Sequence, residues 1–150
     1  MNNKTSGHPG KGLAVLECYE EIPCDPCRDI CPFGAISIPG LITDIPQLDR
    51  LLCTGCGRCI PACPGQAIFI ITYLPDEKKA RISLPYEFLP YPTTGQKGWG
   101  LDRKGRPVCR AKVISLKLNK DYDHTAVLTI EIPSWHAREV RFFRRSHDDN

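Results

Sequence analysis

The sequence predicts an α+β chain in two unequal parts, a cysteine-dense core repeated on itself and a small, mostly β C-terminal appendage. Three observations carry this expectation. Eight of the nine cysteines fall between positions 18 and 63. At an offset of 32 residues, Cys24, Cys27, Cys31, Pro32, Ala35 and Ile36 coincide with Cys56, Cys59, Cys63, Pro64, Ala67 and Ile68, which is an internal duplication. Beyond residue 76 the cysteines all but stop, and segments of alternating apolar and polar residues take over, the period of half-buried strands. A length of 150 residues suits one ordinary domain or two small ones sharing a surface. The expected division is an N-terminal arm (1–17), the cysteine core (18–75) and the appendage (76–150).

Composition narrows the class. No apolar run approaches the roughly 20 residues of a transmembrane helix, and the opening MNNKTSGHPGKG lacks the apolar centre of a signal peptide. A cytoplasmic location is therefore expected, where dense cysteines point to metal or redox chemistry rather than a disulfide framework. The charge is split. Residues 1–76 carry five Lys/Arg against eight Asp/Glu, and residues 77–150 carry fifteen against nine. The formal total of +3 counts every cysteine as neutral; two thiolate-bound clusters at about −2 each would bring it near −1.

The second cysteine group, CTGCGRCIPACPGQAI (53–68), is a complete C-x2-C-x2-C-x3-C-P run. Two-residue gaps let three thiolates of one tight loop reach three irons of a cubane, and Gly55 and Gly57 let the backbone approach the inorganic sulfur. Pro64 fixes the exit from the loop. Zinc ribbons also use C-x2-C pairs, but they pair two such knuckles, whereas each group here has a third and fourth cysteine and the Cys-Pro ending.

On these motifs, residues 18–74 resemble a two-cluster bacterial-type ferredoxin, with AISI (35–38) and AIFIITYL (67–74) as the strands after each motif. The resemblance implies two 4Fe-4S clusters with crossed ligation. Cluster I would take Cys18, Cys24, Cys27 and Cys63; cluster II would take Cys53, Cys56, Cys59 and Cys31. The first group, CYEEIPCDPCRDICPFGAI, departs from the family at one place. Five residues separate Cys18 from Cys24 where two are expected, and Glu21 stands where the missing thiol would be. A longer loop stiffened by Pro23 returns Cys18 to the same iron; Cys109, Asp25, or a three-iron cluster without a fourth ligand are the alternatives. Ile30, Phe33, Ile36, Ile60 and Ile68 are expected to wall the clusters from water.

In the appendage, ARISLPYEFLPYP (80–92) reads as an edge strand broken by prolines, and TTGQKGWG (93–100) as a glycine-rich flexible joint. GLDRKGRPV carries a D-x-x-G hairpin signal. VCRAKVISLKL and TAVLTIEIP read as strands joined by the turn NKDYDH, with Cys109 facing inward in the core. SWHAREVRFFRR suggests a short helix capped by Ser134, with Val140 and Phe143 inward and Arg138, Arg141 and Arg145 outward.

CYEEIPCDPC, CTGCGRCIPACPGQAIF and the D-x-x-G tail are similar to the ferredoxin-like subunits of flavin-dependent amino-acid or amine dehydrogenase complexes of the proline and hydroxyproline type. That similarity implies a non-catalytic electron-transfer subunit in a hetero-oligomer with a flavoprotein. A free soluble ferredoxin with a β extension is the alternative. A cysteine-rich structural metal module binding nucleic acid is a third reading, weakened because the basic residues are spread over many short elements with acids interleaved. No Ser/His/Asp set, P-loop or dinucleotide fingerprint is present, and His8, His124, His136 and His147 form no spaced pair. No catalytic residues are therefore expected.

Overall fold

The chain, described by a computed structural model over residues 10–75, 78–118, 120 and 125–146, is mostly antiparallel sheet. Strand β1 (Leu13–Leu16) pairs with β4 (Ile68–Leu74), Leu16 opposite Ile68 and Leu13 opposite Ile71. A two-stranded ribbon, β2 (Ile36–Ser37) with β3 (Gln47–Leu48), lies between them in sequence. Two single-turn helices, α1 (Pro26–Ile30) and α2 (Cys59–Ala62), each end at a Cys-Pro step, where Cys31 and Cys63 take φ/ψ of −72/111° and −76/113°. Proline disfavours the helical region for the residue before it, and with Cys31 and Cys63 extended the same dipeptide ends both helices and leads each copy toward its strand.

After β4 come β5 (Lys79–Tyr86), β6 (Lys97–Leu101), β7 (Pro107–Lys117), β8 (Ala126–Pro133) and β9 (Phe142–Arg145). With β1 and β4 they form one seven-stranded sheet in the order β1-β4-β5-β8-β7-β6-β9. The sheet joins the expected core and appendage, because β4 pairs with β5 from Ile70↔Ser83 to Leu74↔Lys79. Part of the expected N-terminal arm is β1 itself. The expected NKDYDH turn falls largely outside the described residues.

Three local expectations are corrected. Strand β5 is interior, between β4 and β8; Pro85 is tolerated because pairing with β4 stops at Ser83, so its missing N–H leaves no gap on that side. The second half of the glycine-rich segment, from Lys97, is strand β6. A Cβ at Gly98 would overlap the Arg144 carbonyl and the Phe143 ring, and one at Gly100 would press on Val140 and Cys109, so these glycines serve close packing rather than flexibility. The C-terminal helix is only a 3-10 turn at Ser134–His136 followed by β9. Val140 and Phe143 are buried as expected, but so is Arg141, at 7% exposure; the Phe-Phe-Arg-Arg run alternates as a strand does.

The apolar residues form two cores on opposite faces of the sheet. Phe69, Ile71, Ile82, Leu84, Val113, Leu128, Ile130 and Phe143 fill one, Cys109 among them. Ala14, Ile36, Ile60, Ile68, Ile70 and Val127 fill the other, with Cys27, Cys53 and Cys59. The sheet curls around the first core. Tyr86 of β5 stacks on Phe142 of β9 with ring centroids 5.4 Å apart, and Glu17, just past β1, meets Arg141, just before β9, at 2.8 Å. The cysteine half packs on the outer face, where α2 touches β5 and β8.

Gly98→Ala is expected to destabilise the chain by about 1–3 kcal/mol through overpacking, read as a lowered midpoint in anaerobic denaturation. An unchanged midpoint would show that the contact with Phe143 yields freely.

Candidate metal centre

The eight clustered cysteines ring two cavities. The first is lined by Cys18, Cys24, Cys27 and Cys63 together with Leu16, Ile22 and Ile68. The second is lined by Cys31, Cys53, Cys56 and Cys59 with Ala14, Leu48 and Ile70. Each draws three thiols from one copy of the motif and one from the other. The thiols surround space rather than a point, for among the described residues no three His, Cys, Asp or Glu side chains group tightly enough for a single ion.

The helix stops explain the crossing. Cys31 and Cys63 are the extended residues just past α1 and α2, so each leaves its own loop and is carried to the other cavity. The two copies then repeat one hydrogen bond: Ala35 N–H donates to Cys31 Sγ and Ala67 N–H to Cys63 Sγ, both at 3.4 Å. Ala14 of β1 adds an N–H to Cys53 Sγ at 3.5 Å. Such donors stabilise thiolate sulfur and raise the potential of a bound cluster.

Electrostatics sorts the thiols into the same sets. Burial pushes the Cys59 thiol up to about 12, with Cys56, Cys53 and Cys31 adding to the rise. Cys24 is raised by burial, then by Cys63 and Cys18, and Cys27 by burial, then by Cys63 and Cys24. Thiols that raise one another are near neighbours that a shared cation would discharge, releasing protons. Cys109 stands apart in the other core, pushed up to about 11 by burial and by Glu139. Asp25 is tied to Arg28 at 2.7 Å.

The loops differ in how they are held. In the second copy Gly55 and Gly57 have φ of 73° and 80°, the left-handed region that favours glycine, and a Cβ on Gly55 would strike the Gly12 backbone. The first copy has no glycine between its cysteines; its left-handed glycine, Gly34 at φ 62°, follows Cys31. Instead Glu17 N–H donates to Ala67 O at 2.8 Å, and the Glu17 carboxylate accepts from Arg141 Nε at 2.8 Å and Arg103 Nε at 3.0 Å. Arg141 also donates to the Ala137 and Val140 carbonyls at 2.8 and 2.6 Å. Burial raises the Glu17 carboxyl, but the Arg103 and Arg141 guanidiniums more than offset it and hold it below the usual range. This clamp fixes the residue next to Cys18, and the sequence gives little hint of it, since its members are up to 124 positions apart. The apolar wall is partly as expected: Ile36, Ile60 and Ile68 are buried, whereas Ile30 and Phe33 are 43% and 46% exposed.

Residues 18–74 match the family described as the LdpA Fe-S cluster-binding domain. The ferredoxin-type protein NapF of Escherichia coli strain K12 is 40% identical over 52 residues, covering 33% of this chain and 32% of that protein. The uncharacterized ferredoxin MJ0155 of Methanocaldococcus jannaschii is 47% identical over 45 residues, 30% of this chain and 28% of its own. A subunit of the Na(+)-translocating ferredoxin:NAD(+) oxidoreductase complex of Acetobacterium woodii is 38% identical over 53 residues, 35% of this chain and 14% of its own. This chain thus spans at most 32% of the length of these relatives. No solved structure matches it. Residues 18–74 are an iron–sulfur cluster-binding domain of ferredoxin type.

Glu17→Ala would leave the Arg141 guanidinium, 5% exposed, buried without its carboxylate, an expected loss of about 3–5 kcal/mol. Arg103→Ala removes a half-exposed partner and should cost about 1 kcal/mol or less. Anaerobic thermal unfolding of the two variants checks the order; equal shifts would mean that the clamp carries no buried charge.

Proposed function

We propose that the chain is an electron-transfer subunit carrying two 4Fe-4S clusters, cluster I on Cys18, Cys24, Cys27 and Cys63, and cluster II on Cys53, Cys56, Cys59 and Cys31. The partner in this reading is a flavoprotein of a multi-subunit amino-acid or amine oxidoreductase. The observation that supports it is the pair of cavities, each ringed by four thiols drawn from both copies of the motif. Thiolate donors in sets of four fit cubane chemistry.

When bound, such clusters supply one-electron storage, which a two-electron flavin needs as an exit. The rest is done by the chain. Ile36, Ile60 and Ile68 exclude water, the Ala14, Ala35 and Ala67 N–H groups hold the thiolates, and exposed Cys56 brings the second site to the surface, where an electron can pass to a partner. In these terms the α+β description applies to the cysteine core, and the mostly β remainder is its support. A free ferredoxin is the second reading. The shared sheet favours it, because residues after 76 cover the carrier's own strands and need no partner to explain them.

Anaerobic metal analysis should give about eight irons and eight acid-labile sulfides per chain, as two cubanes require. Stoichiometric zinc with little iron would sink the proposal. Cys18→Ser should convert or destabilise one cluster, seen as a changed electron paramagnetic resonance signal, and leave the other. A variant that keeps both while Cys109→Ser loses one would move the fourth ligand to Cys109. Native purification then separates the two readings: a retained flavoprotein supports the subunit, and a lone monomer supports the free carrier.

A further inference from the structure

The outer face of the sheet carries an open groove lined by Lys78, Lys79, Lys97, Arg110, Lys112 and Trp135, with Glu131 the one carboxylate and no residue of the cysteine half among the described lining residues. Strand register places the charges in rows. Lys97 of β6 sits directly opposite Lys112 of β7, which sits opposite Glu131 of β8, which sits opposite Arg81 of β5. Along β6, Trp99 lies between Arg110 on one side and Arg144 on the other, and the Arg110 guanidinium stacks on its indole at 4.6 Å.

Glu131 is already committed, paired with Lys79 at 3.3 Å and with Arg81 at 3.4 Å. Among the described residues no carboxylate lies in ion-pair range of Lys97, Lys112 or Arg110. A merely solvated sheet face intersperses both signs, and like charges directly opposite one another across strands are destabilising. The Lys97/Lys112 pair therefore costs the fold stability, and Glu131, opposite Lys112 on the other side, is shared with Lys79 and Arg81. Beside the groove Trp135 is 68% exposed, and exposed Trp with Arg is the composition of protein-binding hot spots.

We propose that this groove is the docking surface for an acidic patch on the oxidoreductase subunit with which the chain exchanges electrons, with Trp135 as its apolar anchor. This rests on the reading of the chain as a carrier subunit. Charge complementarity argues for that occupant. The cysteine half is acidic, so a protein that approaches its clusters must present positive charge there. A basic groove elsewhere on the same chain then holds the partner's negative patch and fixes one orientation, the role electrostatic complementarity plays in specificity and association rate.

The test uses the tagged full chain, loaded with iron and isolated with its partner from the source cells. Carbodiimide joins amines to carboxylates only in contact, so cross-links from Lys97 or Lys112 to partner Asp or Glu residues are expected. Lys97→Glu turns a repulsive pair into an attractive one; it should raise the thermal midpoint of the free chain yet weaken partner retention about tenfold, with iron content unchanged. Trp135→Ala should weaken retention without changing its salt dependence. Partner retained equally by both variants would overturn the groove and leave the carrier reading standing. Cross-links from Lys97 or Lys112 to Glu20 or Glu21 of a second copy would overturn it in favour of self-association. A loaded chain that purifies alone would overturn the carrier-subunit reading and the groove with it.

Discussion

Strand β4 is buried on both faces, and the rest of the molecule depends on that. Its residues alternate between two cores, Ile68 and Ile70 toward the cysteines and Phe69 and Ile71 toward the inside of the curled sheet. A strand with one solvated face would show a polar residue at every second place; IFII shows none. The cysteine loops are thus mounted on a sheet whose far side is closed by β5, β7, β8 and β9. Removing those strands would bare Phe69 and Ile71 and withdraw Val127 from the cysteine-side core. A core of some 60 residues is marginal by itself, and this one borrows its stability from the sheet.

Much of the site was legible in the sequence because its causes are local. The two Cys-Pro steps, the x2 and x3 spacings and the offset of 32 are chain-neighbour constraints, and the thiols line two cavities in the groups that the ferredoxin resemblance implies. The D-x-x-G turn was legible for the same reason: Asp102 accepts from the Lys104 and Arg106 N–H groups at 2.9 Å, and Gly105 has φ of 78°. What was not legible has distant causes. Pro85 looked like an edge signal, but where a proline sits relative to the end of a neighbouring strand depends on register. Gly98 and Gly100 looked like a joint because nothing nearby in sequence reveals that Phe143 and Val140 press on them. Arg141 read as a solvent-facing helix residue because its carboxylate partner, Glu17, lies at the other end of the chain.

The duplicated halves hold their thiols by different means, and this breaks the symmetry of the repeat. Around Cys53, Cys56 and Cys59 the support is local, from two left-handed glycines and the close backbone contact of Gly55 with Gly12. Around Cys18 and Cys24 it is remote. The longer loop carries exposed Tyr19 and Ile22, and its entry is set by Glu17, which Arg103 and Arg141 grip from the hairpin and from the approach to β9. A loop that has lost regular spacing loses the geometry that spacing enforces, and a fixed residue beside the ligand restores part of it. Disturbance in the last quarter of the chain therefore reaches the Cys18 site through Arg141, whereas the Cys53 site meets that part of the chain only through the apolar packing of Val127 and of α2 on β8. The added strands are in this sense part of the metal centre as well as its cover.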